Sequence, residues 1–121
     1  PVVADGGMGT MLFAKGLDRG EAPELWNVER PEAVRAVHEA YIEAGAQIVL
    51  TNTFGGNPIR LGMHGLGDRA HELNLAAARL GREAADAADR PVVVGGSMGP
   101  TGQMLAPLGD LEFEAAAAAF G

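Results

Sequence analysis

Three times along this chain a short β-branched run gives way at once to a glycine-rich polar turn, and a helical pattern follows. The stretches read VVADGGMGT, IVLTNTFGGN and PVVVGGSMGPTG, with the apolar runs beginning at Val2, Ile48 and Val92, about forty-five residues apart. That interval is the length of a βα unit. A continuous run such as Val92 to Val94, unlike an alternating one, describes a strand of a parallel sheet buried on both faces and connected through helices. The expected fold class is therefore α/β.

The intervening segments agree. In PEAVRAVHEAYIEAG, Val34, Val37, His38, Tyr41 and Ile42 recur at three- and four-residue steps, Pro31 suits a first helical turn and Gly45 suits the exit. A second amphipathic helix is predicted over 68–88, with Leu73, Ala77, Leu80 and Ala84 on one face. Asp110 before LEFEAAAAAF predicts a third helix start with Asp110 as its cap.

Composition narrows the function classes. The 18 glycines and few aromatics suit a fold in which helices approach a sheet closely. A net charge of −7 with nine scattered basic residues argues against a nucleic-acid groove. No cysteine is present, so disulfides, thiolate metal sites and cysteine nucleophiles are excluded from these residues. Neither a signal-like start nor a run of about 18 apolar residues occurs, so no membrane association is expected and a cytoplasmic setting is the default.

In parallel α/β folds the ligand lies at the carboxyl ends of the strands. All three glycine-rich turns fall there, bringing Asp5, the hydroxyls of Thr51 and Thr53, and many glycine amides to one face. A carboxylate can hold a substrate ammonium and backbone N–H groups can hold a carboxylate, a pairing that suits an amino acid. Each feature also has a plain structural reading. Asp5 ahead of Gly6 and Gly7 suits a turn, Thr51 and Thr53 suit a strand, Asn52 suits a turn closure and GGSMGPTG suits a flexible loop. That last stretch has neither a G-x-G-x-x-G order nor a Gly-Lys-Ser/Thr ending. His38 reads as a packed helix residue, Trp26 as an anchor of the connection before the first long helix, and His64 and His71 have no metal-spaced partner.

DGGMGT at 5–10, ELWN at 24–27, PEAVRAVHEAYIEAGA at 31–46, LTNTFGGN at 50–57 and GSMGPTG at 96–102, in that order, resemble the homocysteine S-methyltransferase family. The resemblance implies that residues 1–121 are the N-terminal part, about three βα units, of a single homocysteine-binding (β/α)₈ TIM barrel. It implies zinc-dependent transfer of a methyl group from a donor to the homocysteine thiolate, giving methionine, with betaine, S-methylmethionine or a folate-derived methyl group passed through methylcobalamin as the donor. Carried onto this chain, it implies a substrate site of Asp5 and Gly6, with Thr51, Asn52, Thr53 and Phe54 lining the same mouth and Gly96, Ser97 and Gly99 shaping a third wall. No catalytic residue or metal ligand is assigned within the chain. The family's zinc cysteines lie on later strands, so the chain alone is expected to be inactive. Gly55 stands where animal betaine enzymes carry a tyrosine, which weakens an animal-like betaine pocket. Two other readings remain open on residues alone: a phosphate- or flavin-binding barrel, and a non-enzymatic amino-acid-binding module. Unpaired sheet edges predict poor independent stability or self-association as a homo-oligomer.

Overall fold

The computed structural model describes residues 1–121. Two strands, β1 (Ile48–Leu50) and β2 (Val93–Gly95), pair in parallel, with Ile48 opposite Val93, Val49 opposite Val94 and Leu50 opposite Gly95. The first expected strand is reduced to one parallel bridge between Ala4 and Ile48. Gln47 N and Ile48 N donate to Val3 O, and Asp5 N donates to Ile48 O. Val2 and Val3 are exposed and have no neighbour on their outer side, so only one edge of that segment is engaged. β1 lies in the middle.

Helices cover one sheet face. α3 (Pro31–Glu43) and α5 (Ala70–Asp86) pack on each other and on β1, and α5 also meets β2. Val49 is fully buried beneath them, in a cluster with Ala46, Ala85 and Val92. The other face is bare: Leu50 is 42% and Val93 60% exposed. The expectation of strands buried on both faces is therefore corrected, because residues 1–121 place no second layer over Ile48, Leu50 and Val93.

Local chemistry explains the helix ends. α3 begins at Pro31, whose fixed φ suits a first turn and whose missing N–H leaves nothing unbonded there. Its exit is a Schellman motif: Gly45, at φ +111°, donates to Ile42 O while Ala46 N donates to Tyr41 O at 2.9 Å. α5 starts two residues later than expected, after a 3₁₀ turn at Gly67–Arg69, and buries the predicted Leu73, Ala77, Leu80 and Ala84. Gly81 lets it approach the sheet, since a β-carbon there would lie 3.0 Å from Val94 Cγ1.

Three short helices were not evident from the sequence: α1 (Met8–Ala14), directly after the first glycine turn, α2 (Trp26–Glu29) before the first long helix, and α4 (Pro58–Gly62) after the second glycine turn. α2 carries Trp26 into the larger core cluster with Leu12, Leu17, Val34, Val37 and Leu80. The last helix, α6, runs Phe113–Phe120. Its flanking residue is Glu112, so Asp110 is not the cap. Leu111 instead bridges to Leu105, and that contact delays the helix start. No helix is long and apolar enough to cross a membrane.

His38 is fully buried on the inner face of α3, with neither ring nitrogen bonded to a protein group. Burial pushes its pKa below 6.5, and the nearby Asp5 charge opposes that shift. The unfolded chain therefore binds a proton more readily than the folded one. This neutral histidine contributes no pH dependence above 6.5, and stability falls as pH drops from there towards the lower folded value. The expected result is a melting temperature that declines as pH is lowered through about 6.5, and a His38→Leu variant in which that decline is reduced. Equal slopes in thermal melts of the two proteins would assign the acid sensitivity to other groups.

Candidate functional site

The three turns meet at the carboxyl ends of the strands around a cavity of about 640 Å³, lined by Asp5, Gly6, Thr51, Asn52, Thr53, Phe54 and Ser97 among others. Gly96 and Gly99 line a second, smaller cleft of about 310 Å³ that shares Thr51, Thr53, Phe54 and Ser97 with the first. The sequence-predicted residues are thus neighbours, but they are held in different ways.

Asp5 continues the line of the first extended segment. Its main-chain N–H donates to Ile48 O and its carboxylate Oδ2 accepts from Leu50 N at 2.9 Å, so the side chain is oriented by the end of β1. The N–H groups of Gly6 and Gly7 donate to no protein acceptor. Tyr41 on α3 fixes this turn from below: its hydroxyl donates to Gly7 O at 2.8 Å, and a β-carbon at Gly6 would lie 2.9 Å from that hydroxyl. One half-buried carboxylate therefore stands beside unbonded amides.

The second turn is tied down by ELWN. Asn52 Nδ2 donates to Pro23 O (2.8 Å) and to Asn27 Oδ1 (3.0 Å), while Asn27 Nδ2 donates to Asn52 O (2.9 Å) and Leu73 O (3.2 Å). The buried Glu24 accepts from Gly55 N at 2.7 Å. Asn52 is itself 4% exposed, so its amide is committed to the fold and its contribution to the cavity is the wall it holds.

Threonine hydroxyls join the second and third turns. Thr53 Oγ1 donates to Ser97 O at 2.8 Å, Ser97 N donates to Thr51 Oγ1 at 3.2 Å, and the two threonine oxygens lie 2.6 Å apart. With Thr51 Oγ1 accepting from Ser97 and Thr53 Oγ1 donating to it, the remaining proton sits between the threonines, donated by Thr51. Phe54 is 62% exposed at the rim, and its carbonyl accepts from Gly99 N at 2.9 Å. A β-carbon at Gly99 would overlap that carbonyl and lie 2.8 Å from two ring carbons. Because a main-chain oxygen cannot swing aside, Gly99→Ala is expected to destabilise the protein by the about 1–3 kcal/mol typical of overpacking, read as a lowered urea midpoint.

Glu24, Asn27 and Tyr41 were not singled out by sequence reasoning as site-forming, nor were Arg19, Arg60 and Glu21, which also line the larger cavity. The only sequence signal for the first two was their place in ELWN. His64 lines the cavity too, but no group of three or more His, Asp or Glu side chains is placed to hold a metal ion.

A helix-covered parallel sheet with a carboxylate and free glycine amides at its strand ends defines the class: a βα-repeat protein whose ligand site suits a small zwitterion. The homocysteine S-methyltransferase family profile matches residues 2–121, and the chain belongs to that family. Methionine synthase from Mycobacterium tuberculosis is 39% identical over 121 aligned residues, covering 93% of this chain, and that of Mycobacterium leprae is 36% identical over the same share. The chain spans about 10% of the length of either relative. Crystal structures of the homocysteine methyltransferase MmuM from Escherichia coli are also similar. The metallated form has 32% identity and a TM-score of 0.70 over 82% of this chain and 38% of that one, and the oxidised form a TM-score of 0.71 over 84% and 38%.

Proposed function

We propose that the protein containing these residues transfers a methyl group from a donor to the sulfur of homocysteine, giving methionine, and that residues 1–121 supply the amino-acid-binding part of its site. The observation that carries this reading is Asp5, held by Leu50 N beside the unbonded amides of Gly6 and Gly7 in a cavity of about 640 Å³. Asp5 would take the homocysteine ammonium and the Gly6 and Gly7 amides its carboxylate. Such a two-point grip orients the side chain, and orientation lowers the barrier to in-line attack of sulfur on a methyl carbon. Thr51, Thr53 and Ser97 hold the adjoining wall, and the exposed ring of Phe54 covers the rim.

The bare sheet face and the outer edge of β2 support continuation into a closed (β/α)₈ barrel, whose interior would bury Leu50 and Val93. Zinc belongs to the same reading, but the residues present do not fit it: there is no cysteine and no His/Asp/Glu cluster. Its ligands would lie outside residues 1–121, and no step here depends on them.

Methionine formation in the full-length protein, supplied with homocysteine and in turn with betaine, S-methylmethionine and a methyltetrahydrofolate–cobalamin system, tests the proposal. Turnover with one donor is expected. Homocysteine binding with no methionine from any donor would replace the enzyme reading with that of a binding module.

A further inference from the structure

Arginines in this chain are mostly committed. Arg30, Arg35, Arg69 and Arg82 pair with carboxylates, and Arg90 donates to two main-chain carbonyls. Arg19, Arg60 and Arg79 have no such partner; all three are exposed, and the first two line the larger cavity. Two solvent-exposed guanidiniums free of protein partners thus belong to the lining of one cavity, in a protein of net charge −7.

Arg60 is placed there by the fold. Asn57, almost fully buried, caps α4 by accepting from Arg60 N at 2.8 Å, which fixes where the side chain leaves the helix. The chain then passes over Gly55, where a β-carbon would lie 3.3 Å from Arg60 Cγ, and reaches Gly102, where one would lie 3.1 Å from Nη1. Two glycines thus clear a path from the second turn to the third. The neighbouring carboxylate, Glu24, already accepts from Gly55 N and forms no ion pair with Arg60. A guanidinium left with its donors unused offers a planar fork that matches a carboxylate.

We infer that Arg60, with Arg19, forms a carboxylate subsite in the cavity, separate from Asp5 and the Gly6 and Gly7 amides, and that it selects a methyl donor carrying a carboxylate. The inference rests on the proposed function, in which the homocysteine carboxylate is already placed on the glycine amides. Betaine and S-methylmethionine carry the group required; methylcobalamin, which would deliver a folate-derived methyl group, has amide side chains and no free carboxylate, so turnover with that system alone would overturn the donor assignment.

The test uses the full-length protein with Arg60→Ala, Arg60→Lys, Arg19→Ala and, as a control outside the cavity, Arg79→Ala. With betaine or S-methylmethionine as donor, Arg60→Ala is expected to raise the donor KM by about tenfold or more while the homocysteine KM and the melting temperature hold, since a charge-assisted bond is lost and no protein partner is. Arg60→Lys should recover part of the loss, and Arg79→Ala should change nothing. A rise in the homocysteine KM instead would overturn the donor assignment, and unchanged KM values with methionine still formed would overturn the subsite while leaving the proposed function standing. If no donor gives methionine, an acetate titration decides the matter independently. A shift of the Arg60 Nε–Hε NMR signal with acetate, absent with chloride at equal ionic strength, supports the subsite, and no shift overturns it.

Discussion

Asn52→Leu lowers the free energy of unfolding by about 2–5 kcal/mol, the largest stability loss expected from a single change in the site wall. The reason is the set of partners left behind. Asn52 Nδ2 serves both Pro23 O and Asn27 Oδ1, and Asn27 is 2% exposed. Leucine supplies no donor to either acceptor; the buried Asn27 oxygen left unbonded costs about 1–3 kcal/mol, and the part-buried Pro23 carbonyl, which water can reach, costs less. Leucine's branched end must also fit where a planar amide lay, between the Pro23 carbonyl and the Asn27 side chain. Asn52→Asp is milder in shape but places an anion against the same two acceptors, so it should not rescue. Urea denaturation of the three proteins reads the effect, with a loss below about 1 kcal/mol contradicting it. Glu24→Gln provides the contrast: its amide oxygen can still accept from Gly55 N, so its midpoint should move less than that of Asn52→Leu.

The difference between these two positions shows what could be read in the chain beforehand. Helices α3 and α5 announce themselves through period, Pro31, Gly45 and the Leu73–Ala77–Leu80–Ala84 stripe, because each signal is local and lies within a few residues of its effect. Parallel pairing of β1 and β2 follows from their apolar runs and helical spacing. α1 was not legible, since its flanking Gly7 makes no side-chain cap and the helix grows directly from a glycine turn. Nor could the pattern of Val92 to Val94 show that one sheet face stays bare, because burial depends on layers outside the segment. In the site, Asp5, Thr51, Thr53 and Ser97 could be placed together from their positions at strand ends. The partnership of Asn27 with Asn52 spans 25 residues, and that of Glu24 with Gly55 spans 31; neither has a period to betray it. Sequence therefore marked where the cavity lies more fully than how its walls are secured.

Asp5→Asn is expected to weaken homocysteine binding by about 10- to 100-fold, the equivalent of about 1.5–3 kcal/mol for a hydrogen bond to a charged group. Asparagine is the informative replacement because its side-chain oxygen can still accept from Leu50 N, the one protein bond Asp5 Oδ2 makes at 2.9 Å. Turn geometry and melting temperature should therefore hold while the negative charge disappears. Asp5→Ala removes both charge and acceptor, so it should lose affinity and also loosen the end of the first segment. If homocysteine affinity falls in Asp5→Ala but not in Asp5→Asn, measured by titration calorimetry, Asp5 serves the turn and the ammonium is held elsewhere. If both variants lose affinity and only the alanine variant loses stability, the two functions of this side chain separate, one oxygen bound to Leu50 N and the carboxylate charge given to the ligand. His38 supplies an internal check on that outcome. Asp5 is the nearby charge that opposes the burial shift of His38, so removing it should deepen the depression of the His38 pKa. The same Asp5→Asn protein should then show an imidazole that takes up its proton at lower pH than in the wild type, observed directly through the His38 ring signals in an NMR titration.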